Sequence, residues 1–231
     1  MKPKISIIIP TYNEENYVEE TLKSIREQKF KDYELIVSDC YSEDNTVRIA
    51  EKYADKIIFS KTRSTASARN LGASIAKGKY FIFVDADTLL CGDYLEKAYE
   101  IFKSEEYIAF SGAFKFSNFS PRYKVTEKAV NFYFMLMSKF NKTIIPGFNF
   151  CIFKNVFNEI GGFEDVFIED ANLCTKLNKI GKTGYFTHFY VTTSSRRLEK
   201  LGLFGTLDYY CDIRRKWNGT TSFLSRYIKI D

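Results

Sequence analysis

Two aspartates, Asp85 and Asp87, directly follow the apolar segment Tyr80–Val84. The segment has the length and the aromatic and β-branched content of a strand buried on both faces of a parallel sheet. On an extended backbone, residues two apart point the same way, and neighbouring carboxylates repel each other unless a cation lies between them. Oxygen ligands suit Mg²⁺ or Mn²⁺, which keep positions open for substrate phosphates. The pair predicts a divalent-cation site, and a solvated turn after a strand is the alternative.

Strand and helix patterns alternate over the first hundred residues. Short apolar runs predict strands at 5–9, 34–37, 57–59 and 80–84, with apolar residues at helical spacing between them. This alternation is typical of an α/β fold, in which a mostly parallel central sheet is flanked by helices. Ligands of such sheets bind in the crevice beyond the carboxyl ends of the strands. The polar clusters of this half stand at those ends.

The second half of the chain is less regular. The pattern predicts helices at 94–102, 123–140, 155–160 and 170–180, strands at 108–112, 148–153 and 185–193, and a helical C-terminal tail. No linker-like stretch or internal repeat interrupts it. We therefore expect one domain over residues 1–231. We expect it to consist of a first half at about 1–112, a second half at about 113–200 and the tail at about 201–231.

Composition limits the classes of protein to consider. The chain has 231 residues, is 45% hydrophobic and carries a net charge of +5, which suits one domain with a core. The mild positive charge fits an anionic small molecule or an acidic membrane surface and does not argue for nucleic acid. The five cysteines are scattered without a Cys-x-x-Cys pair, which indicates reduced thiols. With no signal peptide or spanning segment visible, the expected location is the cytoplasm, including the cytoplasmic face of the membrane.

Taken in order, the polar clusters resemble the family 2 glycosyltransferases of the GT-A fold. The resemblance covers roughly residues 4–197 and depends on several short motifs in the right order. They are Pro-Thr-Tyr-Asn-Glu-Glu at 10–15, Val-Ser-Asp at 37–39, Ser-Glu-Asp-Asn-Thr at 42–46, Ala-Arg-Asn-Leu-Gly at 68–72, Val-Asp-Ala-Asp at 84–87, Gly-Gly-Phe at 161–163 and Glu-Asp at 169–170. The family implies an inverting transfer of sugar from a nucleotide-diphosphate donor, with a nucleotide-binding half at about 1–112 and an acceptor half at about 113–200.

The resemblance implies nucleotide-binding roles for the first clusters. Thr11 and Asp39 are the expected contacts to the base and ribose, and Glu14 assists at the ribose. Asn13 is a further candidate contact, although Asn13 or Thr11 as a cap of the following helix is an equal alternative. Arg69 is expected to reach the base or the diphosphate.

The resemblance also implies the catalytic groups. Asp85 and Asp87 are the expected metal and ribose pair, and the cation, Mg²⁺ or Mn²⁺, neutralises charge on the leaving diphosphate. Asp170, beside Glu169, is the expected general base that deprotonates the acceptor hydroxyl. The alternative is that both carboxylates only favour a helix N-terminus through its dipole.

Two basic elements lie near the end of the matched region. His188, the only histidine, is a candidate third metal ligand or phosphate contact, with an ordinary core or surface histidine as the alternative. Arg196 and Arg197 are candidates for a diphosphate clamp because guanidinium forks suit phosphate oxygens. A solvated basic turn is the alternative there.

Donor and acceptor stay open at this point. The pair Cys40–Tyr41 departs from the small or acidic pattern usual after Asp39, which leaves the identity of the nucleotide open. A UDP-sugar is the first expectation and a GDP-sugar the second. Residues 115–150 carry no acceptor signature. The aromatic helix at 129–140 and the basic, aromatic tail have the composition of interfacial helices, which favours peripheral membrane contact and a lipid-linked acceptor. A polysaccharide is the other expected acceptor. Packing onto the domain is the alternative.

Two rival functions remain. A sugar-phosphate nucleotidyltransferase also uses acidic metal ligands on an α/β sheet, but its glycine-rich loop after the first strand is absent. A catalytically silent carbohydrate- or lipid-binding protein on the same fold is the second rival. The presence of Asp39, Asp85, Asp87 and Asp170 together argues against it.

Overall fold

The computed structural model describes residues 2–117, 120–166, 168–196 and 199–200. The strands are β1 Ile5–Thr11, β2 Tyr33–Asp39, β3 Lys56–Phe59, β4 Tyr80–Val84, β5 Thr88–Leu90, β6 Ala109–Phe116, β7 Asn149–Phe153 and β8 Thr183–Thr193. The helices are α1 Val18–Arg26, α2 Thr46–Ala50, α3 Thr65–Ile75, α4 Tyr94–Ser104, α5 Pro121–Lys139, α6 Lys154–Glu159 and α7 Glu169–Ile180. The predicted tail at 201–231 lies outside the described residues.

The eight strands of the described residues join one sheet in the order β3-β2-β1-β4-β7-β6-β8-β5. β3, β2, β1 and β4 run parallel, as the alternating pattern predicts. β7 is antiparallel to both β4 and β6, and β6 pairs in parallel with β8. The sheet is therefore mixed and mostly parallel, which confirms the predicted fold class.

The strand before the acidic residues lies in the middle of the sheet. All five residues of β4 are buried, and its neighbours are β1 on one side and β7 on the other. Burial on both faces explains why this segment is continuously apolar instead of alternating. Its carboxyl end therefore lies at the centre of one sheet edge, where Asp85 and Asp87 begin the next turn.

Helix α3 packs closely on the sheet because its inward residues are small. Ala68 is fully buried, and a Cβ added at Gly72 would lie 2.6 Å from Ile8 Cγ2 of β1. Aromatic side chains fill the space under the same region, with Phe163 against Phe83 at a centroid distance of 5.0 Å. This packing holds the first turns of α3 against the carboxyl ends of the strands.

The structure differs from the sequence prediction near the acidic residues. Asp85 and Asp87 are not on an extended backbone: the Thr88 amide donates to the Asp85 carbonyl at 3.1 Å and closes a tight turn. The short strand β5 follows at once and pairs with β8, so the chain has to change direction here. The extended backbone predicted for this pair is wrong, and β5 was not predicted because three residues are too short for a periodic pattern.

A Gly78→Ala substitution is expected to destabilise the fold. A Cβ at Gly78 would lie 2.6 Å from the Ser6 amide nitrogen and 2.7 Å from the Ile5 carbonyl carbon. Because these are backbone atoms of a central strand, they cannot move aside, and overpacking of this kind costs about 1–3 kcal/mol. At roughly 2–4 °C per kcal/mol for a domain of this size, calorimetry should show a clearly lower Tm.

The matched control is Gly92→Asn. A Cβ at Gly92 would meet no atom within 4 Å, and asparagine tolerates its φ of +61°. An equal loss of Tm in both variants would contradict the steric explanation for Gly78.

Candidate active site

The ends of β1 and β2 are joined by a buried hydrogen-bonded cluster. Thr11 and Asp39 are register partners, and Thr11 Oγ1 donates to Asp39 Oδ2 at 2.7 Å. Ser42 donates twice to the same carboxylate, through its amide at 2.7 Å and its hydroxyl at 2.6 Å. A carboxylate has about four acceptor positions, so three donors leave room for one more. That Asp39 accepts from a nucleotide base stays a prediction.

Asn13 and Glu14 form the rim of this cluster. Asn13 has a left-handed backbone (φ +52°), donates its amide to Ser42 Oγ and accepts the Glu43 amide through Oδ1. It therefore ties two loops together, and its expected alternative as a cap of α1 is wrong because that helix begins only at Val18. Glu14 accepts both terminal nitrogens of Arg196, at 2.9 and 2.6 Å.

We name residues 85–87 the acidic turn. The Thr21 hydroxyl of α1 donates to the Ala86 carbonyl at 2.8 Å and anchors it. Each of its carboxylates is paired with an arginine: Asp85 Oδ1 with Arg69 Nη2 at 2.7 Å and Asp87 Oδ2 with Arg196 Nε at 3.1 Å. Two opposed guanidinium groups thus offset the repulsion between the two anions.

The acidic turn suits a cation that arrives together with a phosphate ligand. Among the described residues, no group of three or more histidine, cysteine, aspartate or glutamate side chains could hold a metal ion. Mg²⁺ is usually bound through one or two carboxylates, with phosphates and water completing its shell. Asp85, whose described hydrogen bond uses Oδ1 alone, and Asp87 together match that donor set.

His188 is not brought to the acidic turn. Its side chain is exposed, lies beside the rings of Phe186 and Phe189, and its carbonyl accepts from Lys97 of α4. Thr193, five residues further along β8, is the residue that pairs with Thr88. At about 3.3 Å per residue the regular stretch from Tyr190 to Thr193 alone spans roughly 10 Å, and His188 lies before it, in the irregular part of β8. The expectation that His188 is a third metal ligand is therefore corrected.

Arg69 also differs from its predicted role. Its side chain is only 2% exposed, and its guanidinium donates to Asp85 Oδ1 at 2.7 Å and to Glu169 Oε1 at 2.6 Å. Both terminal nitrogens are thus already paired with protein carboxylates, and the buried side chain presents little surface to a nucleotide base or diphosphate. Arg69 instead connects the acidic turn to the first turn of α7, across 100 residues of sequence.

Asp170 lies in the first turn of α7, beside Glu169. Its Oδ2 accepts the Gly147 amide at 2.9 Å, and its Oδ1 accepts the Ala171 amide at 2.7 Å. Burial raises the pKa of the Asp170 carboxyl, and the Glu169 charge raises it further, although the Gly147 amide and Arg69 oppose the shift. The bond to Ala171 satisfies an otherwise unpaired helix amide, so a structural role and a role as base coexist in this residue.

Arg196 closes the other side of the acidic turn. Besides Glu14 and Asp87, its guanidinium lies over the Tyr17 ring, 4.9 Å from the centroid. Burial lowers the pKa of Arg196, but the hydrogen bonds that it donates to Glu14 and the charge of Asp87 outweigh this effect and raise the pKa. The Arg196 guanidinium, which was predicted to clamp a diphosphate, is thus paired with protein carboxylates in the structure. Arg197 lies outside the described residues.

Sequence reasoning missed the residues that hold these groups in place. The Asn70 side chain donates to the Phe163 carbonyl at 2.7 Å and accepts its amide at 2.9 Å. Gly162, at φ +71°, makes the turn that presents Phe163. Asn70 and Gly162 lie in the Ala-Arg-Asn and Gly-Gly-Phe motifs, so the sequence carried a signal for both residues. For Gly147 the sequence offers no signal beyond the adjacent pair Pro146–Gly147.

The chain is similar to known proteins in both sequence and fold. The model of the family described as Glycosyl transferase family 2 matches residues 6–161. The curated relative poly(ribitol-phosphate) beta-N-acetylglucosaminyltransferase TarS of Staphylococcus aureus is 35% identical over 102 residues, 41% of this chain and 17% of TarS.

Two solved structures share the fold. The crystal structure of S. aureus TarS 1-349 in complex with UDP-GlcNAc has a TM-score of 0.67 and 22% identity, covering 82% of this chain and 58% of that one. Mannosyltransferase PcManGT from Pyrobaculum calidifontis, in complex with GDP-Man and Mn²⁺, has a TM-score of 0.69 and 26% identity, covering 83% and 57%. The chain thus spans less than two thirds of each of these proteins, and the predicted GT-A fold is confirmed. Since the family model matches well over half of its residues, the chain belongs to glycosyl transferase family 2.

Proposed function

We propose that this protein transfers a hexose-type sugar from a nucleoside diphosphate donor to an acceptor hydroxyl, with inversion at the anomeric carbon. One observation carries the proposal: Asp85 of the acidic turn and Glu169, the neighbour of Asp170, bind the same guanidinium, that of Arg69. The carboxylates suited to a cation and the carboxylate suited to a base therefore line one site. An in-line displacement needs these two functions on either side of the sugar.

The chain's own residues account for the reaction as follows. Thr11 and Asp39 hold the nucleoside at the ends of β1 and β2. Arg196 leaves its ion pairs with Glu14 and Asp87 and binds the diphosphate. Asp170 accepts the proton of the acceptor hydroxyl as that oxygen bonds to the anomeric carbon and the bond to the diphosphate breaks. Its raised pKa suits this role because a more basic carboxylate takes up the proton more readily. A single attack from the face opposite the leaving group inverts the anomeric carbon.

Asp85 and Asp87 would hold the divalent cation, Mg²⁺ or Mn²⁺. When bound, it would neutralise negative charge on the departing diphosphate. PcManGT was solved with Mn²⁺ and GDP-Man, and TarS with UDP-GlcNAc; both support a UDP-sugar or GDP-sugar as donor here. The name of TarS, which describes a polymeric acceptor, supports a polymeric acceptor for this chain.

A thermal-shift panel tests the proposal. UDP, GDP and their sugars are each added with Mn²⁺ or with EDTA, and product is then sought for any donor that binds. A ligand at 100 times its Kd stabilises the native state by about 2.7 kcal/mol, so the correct nucleotide should raise the Tm in Mn²⁺ and much less in EDTA. If no nucleotide shifts the Tm, the proposal is wrong. Pyrophosphate release from a nucleoside triphosphate and sugar phosphate would favour a nucleotidyltransferase, and binding without turnover a silent binding protein.

We also propose that α5 contacts an anionic membrane surface. Val125, Phe132, Leu136 and Phe140 follow one another at helical spacing on its exposed side, where Phe132 is 61% and Phe140 65% exposed. Lysines flank them on the same helix and just after it. Apolar and basic residues together are typical of interfacial helices. Among the described residues, no helix is long and apolar enough to cross a bilayer.

Sedimentation with vesicles checks this contact. The protein should pellet with vesicles that contain phosphatidylserine at low salt and less so at high salt, because the charge contribution is screened. A Phe132→Ser and Phe140→Ser double variant should stay in the supernatant without a loss of Tm. Wild-type protein that remains in the supernatant at low salt would rule the contact out.

A further inference from the structure

Arg69 lies one turn into α3 and faces the site instead of solvent. Ala68 and Gly72 beside it are small and let α3 approach β1 closely. The arginine is 2% exposed, which is unusual for a side chain that is always charged. Its Nε has no hydrogen-bond partner among the described residues. The guanidinium is thus oriented by what its two terminal nitrogens bind, although this leaves one buried donor unpaired.

Those two nitrogens bind carboxylates from opposite halves of the site. Nη2 donates to Asp85 Oδ1 at 2.7 Å and Nη1 to Glu169 Oε1 at 2.6 Å. Charge-assisted bonds of this length are among the stronger ones in proteins, and the planar guanidinium sets a fixed angle between them. A single guanidinium group therefore bridges the acidic turn and the start of α7.

Gly147 connects this guanidinium to Asp170. A Cβ at Gly147 would lie 2.7 Å from Arg69 Nη2 and 2.9 Å from Nη1, so only glycine leaves room for the arginine. The amide of the same glycine donates to Asp170 Oδ2 at 2.9 Å. On its other side the guanidinium packs on the Phe163 ring, 5.2 Å from the centroid. Displacing Arg69 would therefore disturb the base as well as the acidic turn.

We infer that Arg69 is a positioning residue that holds the Glu169–Asp170 pair at the correct place relative to the acidic turn, and that it acts through these carboxylates without touching the donor. The inference deepens the proposed glycosyl transfer and depends on it for its kinetic consequences. The arrangement of charges around Asp170 does not depend on the proposed function.

The charges around Asp170 provide a readout that a merely structural role would not move. The groups that face it are Glu169 and Cys174 on α7, Arg69 on α3 and the backbone amides of Gly147 and Ala171. Burial and the Glu169 charge raise the pKa of Asp170, whereas Arg69 lowers it. Removing the arginine should therefore raise this pKa further, and removing the Glu169 charge should lower it.

The kinetic test compares Arg69→Gln, Arg69→Lys and Glu169→Gln with wild type in saturating Mn²⁺. A lysine keeps the charge but cannot present two nitrogens at a fixed angle, so both Arg69 variants should lose kcat. We expect about 100-fold for Arg69→Gln, since small misplacements of catalytic groups cost that much. The donor KM should change less than about fivefold, on the same argument that the arginine does not touch the donor. In the pH profile of kcat, the fall on the acid side should move to higher pH in Arg69→Gln and to lower pH in Glu169→Gln.

A second measurement does not need turnover. The carboxyl resonance of Asp170 is followed against pH by ¹³C NMR in ligand-free protein and assigned with Asp170→Asn. Its midpoint should rise in Arg69→Gln and fall in Glu169→Gln. Gly147→Ala, which keeps every charge but displaces the guanidinium, should move the midpoint as well. Arg26→Gln is the matched control, because Arg26 pairs with Asp55 and the Tyr53 carbonyl outside the site.

The outcomes separate two failures. If wild type transfers no sugar but the Asp170 midpoint shifts as stated, the proposed function is wrong and the assigned role of Arg69 in the charge arrangement stands. If the variants lose only Tm, while kcat per folded molecule and the Asp170 midpoint match those of Arg26→Gln, Arg69 is only a structural residue. A donor KM that rises as much as kcat falls would mean that Arg69 contacts the donor. Either of the last two results overturns the inference.

Discussion

An Asp170→Asn variant is expected to lose about 10²- to 10⁴-fold in kcat, the range attributed to a positioned general base. Asparagine has nearly the same shape and can still accept the Gly147 amide that Asp170 accepts at 2.9 Å. It cannot take up a proton from the acceptor hydroxyl. Because Asp170 belongs to the acceptor side of the site, the affinity for the nucleotide sugar should stay within a few-fold of wild type.

The measurement is steady-state transfer at saturating donor, together with donor Kd by calorimetry. Asp32→Asn is the matched control, since Asp32 is an exposed carboxylate that accepts the Lys4 amide before β2, at the opposite edge of the sheet. Loss of donor binding in Asp170→Asn, with kcat preserved once donor is saturating, would show that the base has been misassigned.

The pH profile follows from the same carboxylate. Burial and Glu169 raise the pKa of Asp170 above its usual range, and the base works only when it is deprotonated. Wild-type kcat should therefore fall as the pH decreases through this raised pKa. The residual activity of Asp170→Asn should not show this fall of kcat at low pH. If the fall is unchanged, it is caused by the titration of another group.

Asp87→Ala is expected to abolish the metal-dependent part of donor affinity. Even residues that only support metal ligands typically cost 10- to 100-fold in metal affinity when changed, so loss of one of two ligands should cost at least about that much. Donor Kd in Mn²⁺ should then equal the value in EDTA. Arg196 keeps its paired hydrogen bonds to Glu14 in this variant, so the surrounding loop should stay in place.

Two further variants sharpen that result. Asp87→Asn keeps the shape of the side chain while removing its charge, and it should behave like Asp87→Ala if the charge binds the cation. Asp93→Ala removes a half-exposed aspartate paired with Lys97 and should keep the wild-type response to Mn²⁺. Metal dependence that survives in both Asp87 variants would place the cation elsewhere.

The sequence predicted the elements and their order well, for a physical reason. Apolar periodicity reports burial, and the burial of β4 on both faces follows directly from its unbroken apolar composition. The rule that ligands bind beyond the carboxyl ends of parallel strands then brought Thr11, Asp39 and Asp85 to one edge.

The pairing of charges could not be predicted in the same way. Which carboxylate Arg69 binds depends on a contact across 100 residues, and no local pattern encodes it. The backbone turn at Asp85 depends on β5, whose partner β8 lies about a hundred residues later. His188 was misplaced for a related reason: residue type alone does not tell how far along a strand a side chain lies from the site.

The central position of β4 has a consequence for how the chain is made. One neighbour, β1, precedes it, but the other, β7, begins only at Asn149. The ribosome adds about 5–20 residues per second, so for roughly 3–13 s the nascent chain carries an apolar strand with one unpaired edge. Such an edge is a template for pairing with other chains. Chains that stop before β7 should therefore precipitate or be captured by chaperones, even though the parallel strands β3, β2, β1 and β4 are complete.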